Sequence, residues 1–402
     1  MHALIAGGGI AGAVAAMALE KVGIRSTLYE GFDRHDPDTG SYFTVTANGL
    51  EALGEIGVRH LALQAGFPTT RNILWNGDGK RLVALPLDST LRESPPAHTL
   101  KRSRLVADLQ TEAVTRGIPL LRGRRLETAR RTNDGKVEAY FDDGSTAAGD
   151  LLIGADGVHS VVRKAIDPSA PDGRYVGLTN FGGFTLGVGD DIEPEAWHLV
   201  FGHKAFFGYQ ATPGGDVVWF ANVPGPIITR EERARISSTE WSRRLIDLFQ
   251  DDVGPASDLI ESGSLELYAD NTHDLGHVPT WHRDSMIIIG DAAHAPAPTS
   301  GQGASMAIED GLVLAKALRD TDSIGEGFEQ YESLRRERVE KIVAVGARGS
   351  SNKIPGRWGR FGRDLALRYF LKRVVTEQSL AWIHDYRVRL DHSAVGRPVS
   401  AT

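Results

Sequence analysis

The chain has 402 residues, 41% of them hydrophobic and 24% charged, with a net charge of −7. That length accommodates two domains or one elaborated domain, and the acidic balance argues against a nucleic-acid-binding protein, which carries a basic surface. There are no cysteines, which excludes disulfides, thiolate metal sites, iron–sulfur clusters and cysteine nucleophiles. No basic region precedes the first apolar run, so no signal peptide is expected. No apolar run approaches the ~20 residues that span a bilayer. A cytoplasmic protein is expected. No metal is expected either, because the histidines are scattered and form no H-E-x-x-H pair.

Residues 3–6 are short, apolar and followed by glycine, the pattern of a buried parallel strand. Gly7, Gly9 and Gly12 then fit G-x-G-x-x-G. The first glycine allows a tight turn, the second lets a pyrophosphate approach the backbone, and the third lets the next helix pack on the strand. That helix is predicted from about Ile10 to Val22, with Gly23 as its stop. Its leading N–H groups favour a phosphate. A second strand, Arg25 to Tyr29, ends at Glu30, 18 positions beyond Gly12. An acid placed there accepts hydrogen bonds from both hydroxyls of an adenosine ribose. Strand, loop, helix, strand and acid in register predict a dinucleotide site.

A polar loop over 31–40 leads to a strand-like run, 41–46, and a short helix, 47–56. Residues 71–97, with turn signals at 76–79 and at Pro95-Pro96, read as an excursion out of the nucleotide domain. Leu105 and Leu109 mark one face of a helix ending near Gly117. Arg102 at its start is either a cation for the cofactor or a solvated helix-start arginine. Residues 118–150 predict a three-stranded meander with turns at 133–135 and 142–144. Asp156 then sits beside Gly157 at the end of a buried strand, where ligands bind in open α/β sheets; the alternative is a simple cap of the helix beginning near Ser160.

Residues 166–275 carry alternating, aromatic-rich runs and predict a mainly antiparallel sheet interrupted by a helix over 238–250. Tyr209, Trp219 and Asn222 are its candidate pocket residues. Met286 to Ile289 is a buried strand with Asp291 at its end, and Ser300-Gly301-Gln302-Gly303 opens a helix to about Arg319. Two bare glycines at a helix start expose N–H groups. Over 328–347 a charged helix is predicted, with Arg335, Arg336, Glu337 and Arg338 on a solvated face. The arginine- and aromatic-rich tail, 356–390, is expected as a helix packed across the two domains with its arginines in water, in preference to a membrane-surface helix.

Three stretches in this order, Gly7-x-Gly9-x-x-Gly12, Gly154-Ala-Asp156-Gly157-Val-His-Ser160-Val-Val-Arg163 and Gly290-Asp291-Ala-Ala-His294, resemble the class A flavoprotein monooxygenases, the para-hydroxybenzoate hydroxylase fold. Arg102-x-x-Leu105-x-x-x-Leu109 and Trp382-Ile-His-Asp-Tyr386 fit it too, so the resemblance covers nearly the whole chain. It implies an α/β protein with a Rossmann-like FAD-binding domain (1–72, 98–165 and 276–325). Interleaved with that domain would be an antiparallel β-sheet substrate domain (73–97 and 166–275), and a C-terminal helical segment (326–402) would follow.

The resemblance also implies roles. Gly7, Gly9, Ile10, Ala11 and Gly12 would cradle FAD and Glu30 its adenosine ribose. Arg102 would contact the flavin nucleotide, and Asp156 would lie near the pyrophosphate and help to bind NAD(P)H. Asp291 would hold the ribityl chain or pyrophosphate, Gly301, Gly303 and Ala304 would offer N–H groups to the isoalloxazine, and Pro298 would sit beside the reaction site. The implied reaction uses NAD(P)H to reduce FAD, adds O₂ at the flavin C4a position, and transfers one oxygen from the hydroperoxide. Its substrate would be an aromatic or polycyclic, electron-rich small molecule that is hydroxylated or epoxidised. The alternative is an FAD oxidase or dehydrogenase that inserts no oxygen. Nothing in the sequence selects a base among Tyr209, His203 and His198, so no catalytic residue is assigned. Monomer and homodimer both fit, and no nucleic-acid or membrane partner is expected.

Overall fold

A computed structural model describes residues 1–33, 40–87, 89–91, 93–351 and 375–391. The frame is a six-stranded sheet ordered His282–Arg283, Met286–Ile288, Leu151–Gly154, His2–Ala6, Arg25–Glu30, Leu120–Arg122. Every pairing in it is parallel except that of the edge strand His282–Arg283. Its central strands are near-continuous apolar runs because both faces are covered. The helices Ile10–Lys21 and Gly303–Asp320 pack against each other beside it, and the largest apolar cluster is built around them. The strands ending at Ala6, Glu30, Gly154 and Ile288 all stop at one edge of this sheet. Gly7, Glu30, Asp156 and Asp291 are therefore brought to a single rim, the carboxyl edge where ligands bind in such sheets.

The meander expected over 118–150 comprises Leu126–Arg131, Val137–Phe141 and Thr146–Gly149 as a separate antiparallel sheet. Leu120–Arg122 instead extends the large sheet beside Arg25–Glu30. A second three-stranded sheet, Tyr42–Val45, His98–Lys101 and Gly66–Pro68, lies between the nucleotide-binding frame and the large antiparallel sheet described next.

That sheet has seven strands, ordered Ser264–Asp274, Arg174–Thr185, Val217–Pro224, Phe206–Ala211, Ala196–Phe201, Arg71–Asn76, Arg81–Pro86. The excursion at 71–86 thus joins the strands of 174–274, through one parallel pairing of Arg71–Asn76 with Ala196–Phe201. Its two faces have different neighbours. Phe181, Phe207, Tyr209, Val217 and Trp219 pack against Trp241, Leu245, Phe249, Leu259 and Ile260 of the helices Ser238–Phe249 and Ala256–Ser262. The opposite face turns to the nucleotide-binding frame. There Trp197 Nε1 donates to the hydroxyls of Thr44 and Thr99 at 3.0 and 3.1 Å, and the Gln210 amide bonds Thr69 and Thr99.

The helix Ile324–Ser351 corrects one expectation. Arg335 is fully buried and Arg338 nearly so, pointing at the helix Gly303–Asp320 and not into water. Most of the arginine-rich tail lies outside the described residues. Its described part is the helix Glu377–His384 and the irregular segment 385–391 after it. Asp385 there accepts the backbone N–H of Thr90 at 3.0 Å, and Arg389 pairs with Glu55 at 2.6 Å. The described segment thus bonds to Thr90 and to Glu55, with Arg389 paired and not simply in water. Among the described residues no helix is long and apolar enough to cross a membrane.

Candidate functional site

At the front of the rim, Gly7 adopts φ +104°, and a Cβ there would lie 2.3 Å from the Ala155 carbonyl oxygen. Only glycine turns the chain that tightly between two strands. Gly12 has the third glycine's role: a Cβ would meet the Gly7 carbonyl oxygen at 1.9 Å, so the helix rests directly on the turn. Gly9, between them, has no protein atom within 4 Å of where a Cβ would stand. The helix Ile10–Lys21 starts there without a side-chain cap, so the N–H groups of its first turn, at Ile10, Ala11 and Gly12, have no side-chain acceptor. Two glycines close the turn and the middle one keeps it clear, the arrangement a phosphate needs.

Glu30 is buried beside this turn. Its Oε2 accepts the Gly8 N–H and its Oε1 the Phe32 N–H, both at 2.9 Å. These two bonds fix the orientation of its carboxylate beside the turn. A residue the sequence did not single out backs it up: fully buried Gln110 donates to the Gly8 carbonyl at 2.6 Å and accepts from Arg122 at 2.6 Å.

The second glycine-acid turn closes on the first. Gly290 has φ +59°, and a Cβ there would lie 3.1 Å from the Cβ of Ala11. Asp291, next in the short 3-10 turn Gly290–Ala292, is thus held beside the start of the first helix. Burial raises the Asp291 carboxyl above its ordinary range, against the pull of Arg102 and His294. Arg102 opens the helix Arg102–Thr115, is exposed, and donates its N–H to the Ser41 carbonyl at 3.0 Å. Its charge also reaches Asp270 on the seven-stranded sheet. One exposed cation therefore stands among two carboxylates, one from each sheet.

Asp156 does what a helix cap does. Its Oδ2 accepts the N–H groups of Val161 and Val162 at 2.7 and 3.1 Å, and its Oδ1 the Ser160 hydroxyl at 2.5 Å. Burial still raises its carboxyl, and these hydrogen bonds oppose the rise. The capping alternative describes its bonds fully.

The third predicted segment is a helix start with no cap. Pro298, exposed, begins the 3-10 turn Pro298–Ser300 and Gly301 reverses the chain at φ +59°, with no protein atom within 4 Å of a Cβ position. Gln302 precedes the helix Gly303–Asp320, but its side chain turns inward to Thr46 and Asn48 at 3.0 and 3.2 Å. The first-turn N–H groups, at Gly303 and Ala304, have no side-chain cap.

Behind this loop stands a buried ion cluster that sequence reasoning missed. Asp310 accepts the Gly290 N–H at 2.8 Å and bonds His294 Nε2 at 2.7 Å, while its other oxygen takes Arg335 Nε at 2.7 Å. Glu309 receives Arg335 at 2.7 Å, Arg338 at 3.0 Å and the Asn48 amide at 2.6 Å. Burial alone would raise both carboxyls. His294 and Arg335 beside Asp310, and Arg335 and Arg338 beside Glu309, hold them below the ordinary range instead. The available signal was two adjacent acids inside an otherwise apolar helical run, 306–315, since buried acids require partners.

Of the three pocket candidates, the structure brings only Asn222 to the face turned toward the rim, where its amide donates to Asn180 at 2.5 Å. Tyr209 and Trp219 are corrected to the helix-covered face. Tyr209 stacks on His198 at 4.8 Å and its hydroxyl is pushed up to about 12 by burial; Trp219 lies against Phe207 at 5.9 Å. Strand alternation separates them from the rim. His198 shares that stack, and burial lowers it. His203 is bonded to Asp252 at 2.5 Å and Asp78 at 3.2 Å at the sheet's far end. None of the three is placed to act as a base at the rim.

A family model described as FAD binding domain matches residues 1–345. The chain is 30% identical to a Klebsiella pneumoniae FAD-dependent urate hydroxylase over 350 residues, covering 85% of this chain and 88% of that protein. It is 29% identical to the aurachin C monooxygenase/isomerase of Stigmatella aurantiaca, over 85% and 86% of the two chains. The crystal structure of Klebsiella pneumoniae HpxO with FAD and uric acid superposes with a TM-score of 0.80 over 95% of this chain and 97% of that one, at 23% identity.

Proposed function

The chain belongs to the FAD binding domain family as an FAD-dependent monooxygenase, and from that premise we propose which residues hold the cofactor and what the site acts on. The observation that carries the reading is the meeting of the two glycine-acid turns, with Gly290 packed on Ala11 and open space at Gly9 and Gly301. Those glycines fit an extended dinucleotide: each opening is where a side chain would stand. The residues proposed to bind FAD are Gly7 to Gly12 at the pyrophosphate, Glu30 at the adenosine ribose, Asp291 at the ribityl–phosphate stretch, and Gly301 to Ala304 at the flavin end. Arg102 is proposed as the cation beside it. Asp156 is proposed to serve the site by fixing the rim segment 156–162 and, through that segment, the approach of NAD(P)H.

When bound, FAD accepts hydride from NAD(P)H and activates O₂ for transfer of one oxygen atom. The chain's own part is to position and to exclude water. The uncapped N–H groups at Gly303 and Ala304 stabilise negative charge that develops near them. The face of the seven-stranded sheet bearing Trp197, Phe206 and Phe220 roofs the reaction space with apolar surface. The proposed substrate is an aromatic or polycyclic, electron-rich small molecule, hydroxylated or epoxidised. The need for NAD(P)H supports a cytoplasmic place of action.

Purified protein is expected to be yellow and, with a substrate found by screening for faster NAD(P)H oxidation, to incorporate one ¹⁸O atom from ¹⁸O₂. A product without ¹⁸O would turn the reading into an oxidase or dehydrogenase. Asp291→Ala is expected to weaken FAD retention, and unchanged retention would remove that assignment.

A further inference from the structure

The roof over the proposed reaction space is built from rings. Trp197 meets Phe220 edge-on at 5.2 Å, Phe220 lies 6.1 Å from Phe206, and Phe206 meets Phe201 edge-on at 5.1 Å. Gly208 is what lets the Phe220 ring lie on the sheet, because a Cβ there would stand 2.3 Å from that ring. Beside the rings are amides, Asn180 with Asn222 and the inward-bonded Gln210.

The cations near this face each have a carboxylate within electrostatic reach. Lys101, its ammonium 5.5 Å from the Tyr42 ring centre and 5.7 Å from that of Phe184, is paired at 2.9 Å with Glu266, and both are largely buried. Arg102 stands between Asp291 and Asp270, and Asp270 also has Arg233 at 4.0 Å.

An anionic substrate entering here would meet ring faces, which carry negative quadrupole charge. It would also meet the carboxylates of Glu266, which holds Lys101, and of Asp270 and Asp291. A buried charge without a partner is strongly unfavourable. A neutral ring loses nothing of the kind and gains stacking and apolar burial. Resting on the monooxygenase reading above, we propose that the site selects uncharged fused-ring aromatic substrates and discriminates against aromatic anions, with Phe220 and Phe206 as the specificity-determining surface. This chain therefore departs from what the name of its urate-hydroxylating relative would lead one to expect.

The test is a titration of the FAD-loaded protein at pH 7 with 2-naphthol, which is neutral there, and 2-naphthoate, which is charged, each followed by the change in flavin absorbance. Naphthol is expected to bind at least about tenfold more tightly, a difference of about 1.4 kcal/mol. Phe220→Leu is expected to erase most of that advantage while FAD stays bound. If Phe220→Leu releases FAD, Phe206→Leu takes its place in the same titration. Equal or tighter binding of naphthoate, failure of both ligands to bind, or a naphthol affinity untouched in the variant would overturn the proposal. The two readings fail differently. A yellow protein that prefers the anion sinks this inference alone, whereas a colourless one that cannot be reconstituted with FAD sinks the monooxygenase reading and this with it.

Discussion

The two turns that meet at the rim are held in different ways. The front turn, Gly7 to Gly12, is shaped by glycines in contact with neighbouring backbone, and its one acid, Glu30, accepts backbone N–H groups. The back turn, Gly290 to His294, has a single glycine at positive φ, and its shape is imposed from behind by Asp310, which grips Gly290, His294 and Arg335 at once. A turn built on sterics needs only glycines where its own backbone and that of Ala155 come close. A turn built on buried charge depends on Asp310, 20 positions beyond Gly290, and through it on Arg335, a further 25 positions on, and it fails if either is lost.

The largest effect follows from that dependence. Arg335→Met would leave Glu309 and Asp310 buried with one cation fewer, and removing one partner of a buried pair costs about 3–5 kcal/mol. Urea unfolding of Arg335→Met is expected to show a loss of that size, along with weaker FAD retention. A loss under 1 kcal/mol would mean that the cluster is solvated in solution. The same comparison has a pH signature. Asp310 and Glu309 titrate below the ordinary carboxylate range, so their contribution is present above about pH 4 and is lost as pH falls through the depressed values. Asp156 and Asp291 are shifted upward, so in FAD-free protein their contribution has the opposite sign: it is favourable in acid and lost as pH rises through their raised values. Acid unfolding of the wild type below about pH 4 is expected to be steeper than that of Asp310→Asn.

The front turn allows fold and binding to be separated. Gly12→Ala would drive a Cβ into the Gly7 carbonyl, and overpacking of this kind costs about 1–3 kcal/mol. Unfolding measurements are expected to show it together with loss of FAD. Gly9→Ala meets no protein atom within 4 Å at an ordinary φ of −69°. Its stability is expected to stay within about 0.5 kcal/mol of wild type while FAD affinity falls at least about tenfold. If Gly9→Ala retains FAD normally, the dinucleotide does not cross the turn there.

This contrast also explains what could be read from the sequence. The front motif was legible because glycine spacing, a strand and an acid are local features, and the rim positions of Glu30 and Asp291 followed from where their strands end. Arg335 and Arg338 were not legible, since Arg-Arg-Glu-Arg in a helix is the same string whether it faces water or two buried acids. The sheet posed a related problem. Alternation separated Tyr209 and Trp219 from Phe206 and Phe220, but which face receives the helices is decided outside these strands, by Ser238–Phe249 and Ala256–Ser262. Asp156 had two readings from sequence, and its hydrogen bonds show that it caps without deciding whether it also serves the reductant.

The smallest effect tests that last distinction. Ser160 caps the helix Val161–Ile166 by accepting the Arg163 N–H at 2.9 Å, and it donates to Asp156 at 2.5 Å. Losing a serine cap costs about 1 kcal/mol, so Ser160→Ala is expected to lower stability by about that much in urea unfolding. Asp156 would keep its bonds to Val161 and Val162, so FAD binding is expected to be unchanged and the effect confined to the rim segment. If NAD(P)H-dependent flavin reduction slows in Ser160→Ala with FAD affinity intact, the segment Asp156 holds in place is part of the path by which the reductant approaches. If reduction is untouched, Asp156 is a structural cap and the reductant enters elsewhere along the rim.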